Sequence, residues 1–198
     1  ALKDKDDHLA IPMYTLLKTY MRIGNEIYYN AHGHKGLTTL KKKDISIKGS
    51  HVTFNYLAKD GVPINTTERF PDIFINRLMD KLEPLNKSSF VFVNTSTGHP
   101  LRDVHFKEAF RRYCGREFYP HIVRSYYATN KAKEFLSSRR SATKEEIRAL
   151  FMSIAEKLGH KRFVKKENVW KESYNVTIHH YIKPEIVEKI MSMQNRKI

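Results

Sequence analysis

The chain has 198 residues, of which 40% are hydrophobic and 12% aromatic, so it is long and apolar enough to bury a core and wholesale disorder is excluded. Lysine and arginine number 36 against 21 acidic residues, a net charge of +15 that favours a polyanionic partner, nucleic acid before an anionic membrane surface. No apolar run approaches the ~20 residues of a spanning helix, the charged start is unlike a signal peptide, and the lone Cys114 excludes an internal disulfide or a cysteine zinc site, which fits an intracellular protein.

In chain order, Leu9, Met13, Leu16, Leu17 and Tyr20 recur at helical spacing, predicting an amphipathic helix over roughly 6–23 that stops near Gly24. From Gly36 to Phe70 the texture changes to short β-rich runs, Leu37–Leu40, Ile45–Ile47, His51–Leu57 and Val62–Asn65. Between the last two, Lys59-Asp60-Gly61 is a hairpin signal. Helices are expected at about 71–82, 103–114, 121–137, 143–158 and 184–195, and Thr143-x-x-Glu146 has the form of a capping box. Phe90–Val93 reads as a short strand or buried extended segment, and Lys161–Glu172, polar and without periodicity, as an exposed loop. The fold class is α+β, mostly helical, with a small three-stranded antiparallel sheet near the N-terminal end, in one domain spanning 1–198.

The stretch most suggestive of chemistry is Leu158-Gly159-His160, followed at a distance by Tyr181-Ile182-Lys183-Pro184. A histidine ahead of a tyrosine in so basic a chain suggests a phenol that attacks a DNA phosphodiester. A phenol of pKa near ~10 is a poor nucleophile at neutral pH. It needs fixed positive charge around the phosphate and an acid for the leaving oxygen. Arginine suits the first task, because its fork donates to two oxygens and stays charged. Arg22, at the predicted end of the first helix, and Arg124, near the start of another, are the two that stand out. Lys59 at the hairpin tip is a long amine able to swing towards a leaving oxygen, although a solvated turn lysine is the commoner case. His160 also serves as an ordinary helix C-terminal residue, and most of the eleven tyrosines must be packing groups. His32-Gly33-His34 and His179-His180 lack acidic partners at metal-site spacing, and no Gly-rich phosphate loop is present, so no metal, ATP or other cofactor is called for.

The order Arg22, Lys59, Arg124, His160, Tyr181 resembles the tyrosine recombinase and type IB topoisomerase superfamily. The local strings are similar to the catalytic domain of the small poxvirus and bacterial type of type IB DNA topoisomerase. Arg22-Ile23-Gly24-Asn25-Glu26 with Gly36-Leu37-Thr38-Thr39-Leu40 resembles the first-arginine box and the strand after it. Ala58-Lys59-Asp60-Gly61 resembles the hairpin lysine, Leu158-Gly159-His160 the histidine box, and Tyr181-Ile182-x-Pro184 the nucleophile segment. The resemblance implies a helical DNA breaking-rejoining fold in which Tyr181 forms a 3′-phosphotyrosyl link and frees a 5′-hydroxyl. Arg22, Arg124 and His160 would hold the phosphate and Lys59 would act as general acid, without ATP or divalent metal.

Two departures are visible. His121 stands where small type IB topoisomerases usually have a lysine, a pattern shared with tyrosine recombinases, which implies that His121 assists proton transfer or phosphate contact. The gap from His160 to Tyr181 is long, which makes Tyr174 the rival nucleophile. The family's small N-terminal β-domain is not visible in the sequence. The expected partner is double-stranded DNA, contacted along the backbone by Lys131, Lys133, Arg139, Arg140, Lys161, Arg162, Lys165 and Lys166, with no membrane association. A topoisomerase is expected to act as a monomer, and the alternative, a recombinase joining strands between duplexes, as an oligomer. A non-catalytic DNA-binding module is the third possibility.

Overall fold

The computed structural model describes residues 1–195. The chain forms two compact units, Ala1–His121 and a second that begins at Ile122.

In the first unit, helix α1 (Ala10–Thr19) is shorter than its periodicity predicts. Tyr20 takes a left-handed conformation, φ 56°, and its N–H closes on the Leu16 carbonyl at 2.9 Å, so the helix ends two residues before Arg22. The chain then runs without regular structure to Asn25, whose side chain caps a short helix α2 (Glu26–His32) by accepting from the Ile27 and Tyr28 N–H groups. Leu37–Leu40, expected as a strand, is instead a single 3₁₀ turn over Leu37–Thr39. Its cause is local: the Thr39 hydroxyl accepts from the Gly36 N–H at 2.9 Å and curls the segment.

Strands β1 (Ile45–Lys48), β2 (His51–Leu57) and β3 (Pro63–Arg69) form the expected antiparallel meander, with Ile45 opposite Phe54 and Phe54 opposite Thr66. Val52, Phe54 and Tyr56 alternate inward along β2 while His51, Asn55 and Leu57 face water. The β2–β3 turn is read directly from Asp60-Gly61, both of which adopt positive φ, 64° and 77°. Helix α3 (Asp72–Leu82) lays Phe74 on Phe70 at 4.2 Å between ring centroids, and Tyr14 of α1 packs on Phe74 at 5.4 Å. Phe90–Val93 is a buried extended segment: Val91 N–H bonds the Leu40 carbonyl and Phe92 receives the Leu101 N–H. Helix α4 (Asp103–Cys114) completes this unit.

In the second unit, α5 (Ile122–Ser137) and α6 (Lys144–Lys157) are followed by α7 (Asn175–His180) and α8 (Pro184–Ser192). The Thr143 hydroxyl accepts from Glu146 N–H at 3.2 Å and the Glu146 carboxylate from Thr143 N–H at 2.8 Å, so the capping box forms as read. Ala128, Ala132, Phe151, Ile154, Ile186 and Ile190 are buried and make its core. The segment Lys161–Glu172 is not a loop. It is an antiparallel hairpin of β4 (Lys161–Val164) and β5 (Val169–Glu172), with Phe163 opposite Trp170, their rings 5.3 Å apart. No helix among the described residues is long and apolar enough to cross a membrane.

Candidate active site

In the first unit, Arg22 sits on a segment without regular structure that the Gly36–Thr39 turn grips. The Arg22 carbonyl accepts Leu37 N–H at 2.8 Å and the Ile23 carbonyl accepts Thr38 N–H at 2.7 Å and the Thr38 hydroxyl at 3.0 Å. Gly36 is so close that a β-carbon there would lie 2.4 Å from the Gly24 nitrogen and 2.6 Å from the Arg22 carbonyl oxygen. The two glycine-bearing strings are therefore one structural piece that fixes the backbone of Arg22. Its guanidinium is half-buried and makes no hydrogen bond or ion pair among the described residues. Lys59 is exposed at the β2–β3 tip, its ammonium equally unengaged among the described residues, and His121 is exposed where this unit ends.

The second unit brings three of the predicted residues together. Arg124, on the first turn of α5, is only 2% exposed, His160 4% and Tyr181 6%. An arginine so buried requires partners. Its Nη2 donates to the Leu158 carbonyl at 2.9 Å and approaches His160 Nε2 at 3.0 Å, while its Cζ lies 5.1 Å from the centre of the Tyr181 ring. The His160 and Tyr181 rings are 4.7 Å apart.

The Leu-Gly-His string explains itself in this geometry. Helix α6 ends at Leu158, Gly159 turns left-handed at φ 66°, and His160 N–H returns to the Ala155 carbonyl at 2.9 Å. That reversal leaves the Leu158 carbonyl for Arg124 and points the imidazole inward. A side chain at Gly159 would cost about 1–2 kcal/mol in this conformation. The helix-ending and site-forming roles of His160 are thus the same fact.

Two threonines that the sequence reading missed hold the tyrosine end. Thr129 of α5 donates its hydroxyl to the Tyr181 carbonyl at 3.2 Å. Thr177 of α7 is fully buried, with its Oγ1 2.8 Å from His160 Nδ1 and its carbonyl accepting Tyr181 N–H at 3.1 Å. Their only sequence signal is spacing, Thr177 lying four residues before Tyr181. Tyr174, by contrast, precedes α7 and packs on Phe151 at 5.9 Å between ring centres.

Of the predicted DNA contacts, Lys133, Arg140, Arg162, Lys165 and Lys166 are exposed without an ion pair among the described residues. Lys131 pairs with Glu134, Arg139 with Glu146 and Lys161 with Glu172.

A mainly helical chain with a small antiparallel sheet and a buried arginine–histidine–tyrosine cluster has the fold of the site-specific recombinases. The likeness extends to XerH bound to its difH substrate in a pre-cleavage complex, with a TM-score of 0.54 and 18% identity over 96% of this chain and 48% of that one. The chain belongs to the family described as the eukaryotic DNA topoisomerase I catalytic core, whose profile matches residues 2–193. It is also 24% identical over 170 residues to DNA topoisomerase 1B of Acanthamoeba polyphaga mimivirus, covering 79% of this chain. The chain spans 50% of the length of that relative.

Proposed function

We propose that this chain breaks and rejoins DNA strands as a type IB topoisomerase, with Tyr181 as nucleophile. The observation that carries the assignment is the packing of Tyr181 against Arg124 and His160 inside the second unit, which Tyr174 does not share. In the reaction, the Tyr181 oxygen bonds to phosphorus as the bond to the 5′ oxygen breaks. The phenol proton is released, and Lys59 supplies a proton to the leaving 5′ oxygen. Arg124 and Arg22 meet the charge that builds on the non-bridging oxygens, a contribution typically worth about 10²–10³ in rate per donor. The covalent 3′ link conserves the phosphodiester's energy, so rejoining runs backwards along the same path and uses neither ATP nor a divalent metal. His121 is assigned to assist proton transfer or phosphate contact. Rotation of the free strand between the two steps relaxes supercoils, and double-stranded DNA is the substrate.

The test is a nicked suicide substrate that traps the covalent adduct. Wild type and Tyr174→Phe are expected to form it and Tyr181→Phe to lose it entirely; an adduct surviving Tyr181→Phe overturns the assignment. The second reading, strand exchange between duplexes, is favoured by His121 and by the likeness to XerH. It predicts synaptic complexes in place of plasmid relaxation by a monomer.

A further inference from the structure

We infer that Lys35 is the positioning residue of the β2–β3 hairpin and so of the Lys59 ammonium, an inference that rests on the strand-breaking reading above. The sheet leaves that hairpin a weak root. Lys42–Asp44 curls into a 3₁₀ turn, so β1 starts only at Ile45 and pairs with β2 no further than Phe54. Asn55, Tyr56 and Leu57, which carry the tip, run on paired with β3 alone. A two-stranded ribbon is marginal by itself. Lys35 closes the gap from outside the sheet. Its N–H donates to the Leu57 carbonyl at 2.8 Å, two residues before Lys59. Its Nζ donates to both carboxylate oxygens of Asp44 at 2.7 Å, just where β1 begins.

The pair differs from the surface pairs of this chain. The Lys35 and Asp44 side chains are only 11% and 7% exposed, and Asp44 Oδ2 also accepts the Lys41 N–H at 2.7 Å. Lys131–Glu134 and Lys171–Glu167 are about half exposed, where such pairs contribute little. His34, the residue before, sits beside the turn itself: a β-carbon on Gly61 would lie 3.7 Å from its Nε2. Lys59 is exposed, so its reach is set by where the tip stands. A general acid works only within hydrogen-bond reach of the leaving oxygen, and a displacement of ~1 Å is costly. Arg22 is held separately, by Leu37 N–H on its own carbonyl and Thr38 N–H on that of Ile23. The Lys35 side chain therefore bears on proton delivery rather than on the phosphate charge. Lys35 touches no reacting atom.

The experiment uses the whole chain with Lys35→Met, which keeps the stem and removes the charge, and two suicide substrates that differ in one atom. In the first the leaving 5′ atom is oxygen. In the second it is sulfur, which departs as a thiolate, its thiol pKa near ~8.5, without the proton an alkoxide needs. Single-turnover cleavage of the saturating oxygen substrate should fall about 10- to 100-fold in Lys35→Met, while the sulfur substrate stays within about threefold of wild type. Adding Lys35→Met to Lys59→Ala should cost no further rate on the oxygen substrate, since residues that act as one unit are not additive. A merely structural role slows both substrates alike; that result, or an unchanged rate in a folded Lys35→Met, overturns the inference. Amide exchange across residues 58–62 should quicken ~10-fold or more in Lys35→Met while that of α3 is unchanged. If wild type forms no adduct with either substrate, the strand-breaking reading fails, while the exchange rates still decide whether Lys35 holds the hairpin. If Lys35→Met does not fold, Lys35→Met with Asp44→Asn removes both buried charges and repeats the test. Failure of both to fold means that the pair holds the unit rather than the hairpin, and the inference falls.

Discussion

Gly36 is constrained by space alone. Its backbone is extended, φ −142°, which any residue adopts, yet a β-carbon would strike the backbone of Gly24 and Arg22 at 2.4 and 2.6 Å. Gly49 presents the opposite case, with φ 56° and nothing within 4 Å of a β-carbon. Gly36→Ala is therefore expected to destabilise by ~2 kcal/mol or more, since backbone cannot step aside. Gly49→Ala should cost about 1 kcal/mol from conformation alone. Chemical denaturation of the two variants separates these causes, and equal losses would refute the steric account. Tyr113 carries a second prediction at this scale. Its hydroxyl donates to the buried Asp7 carboxylate, beside Arg112. Burial, and then this bond, push the phenol up to about 12. Burial alone would raise Asp7, but the bonds from Tyr113 and Arg112 outweigh it and hold the carboxyl below its ordinary range. Since the folded value of Tyr113 lies above the unfolded ~10, its stabilising effect is complete below that pH and is lost as the pH climbs towards 12. Asp7 runs the other way, its contribution lost only as acid reaches its depressed folded value. Phenolate absorbance should lose a late-titrating component in Tyr113→Phe; loss of a component that titrates near the ordinary phenol range of ~10 would contradict the assignment.

At the scale of elements, the β4–β5 hairpin carries half of the proposed DNA contacts, Lys161, Arg162, Lys165 and Lys166. Lys171 pairs with Glu167 and Lys161 with Glu172, which leaves Arg162, Lys165 and Lys166 as its cations without an ion pair among the described residues. Replacing those three by Gln should flatten the slope of log binding constant against log salt by up to ~2.7, at about 0.9 per phosphate contact. Lys171→Gln, which breaks an internal pair, should change it far less. An unchanged slope in the triple variant would remove the hairpin from the interface. This hairpin was illegible as a strand pair because Phe163 and Val169 are about half exposed and charged residues occupy both faces, so no polar–apolar alternation exists. The apolar pairs Phe163-Val164 and Val169-Trp170 flanking Lys165–Asn168 were the available signal. Helix α2 escaped for a related reason: it buries no residue, so it has no stripe. Where one face is buried the pattern spoke clearly, as in β2, and the capping box of α6 was legible from its own local bonds. Arg124, His160 and Tyr181 were legible as residue types in order. Thr129 and Thr177 were not, because a threonine that serves a neighbour through space leaves no mark on periodicity.

At the scale of the whole molecule, the proposed chemistry draws on residues of both units: Arg22, Lys59 and His121 precede Ile122, while Arg124, His160 and Tyr181 follow it. The second set is held by bonds within its own unit. A net charge of +15 supplies the attraction to a polyanion, and an attraction of that origin weakens as salt rises. The 198-residue chain is accordingly expected to relax supercoiled plasmid in EDTA, without nucleotide, as a monomer, and more slowly as salt rises from ~50 to ~200 mM. Tyr181→Phe should be inert in the same assay while still binding the plasmid. Adduct formation without relaxation, accompanied by joined duplexes, would move the assignment to strand exchange. Binding with neither adduct nor relaxation would leave a DNA-binding module in which the arginine, histidine and tyrosine persist as packing.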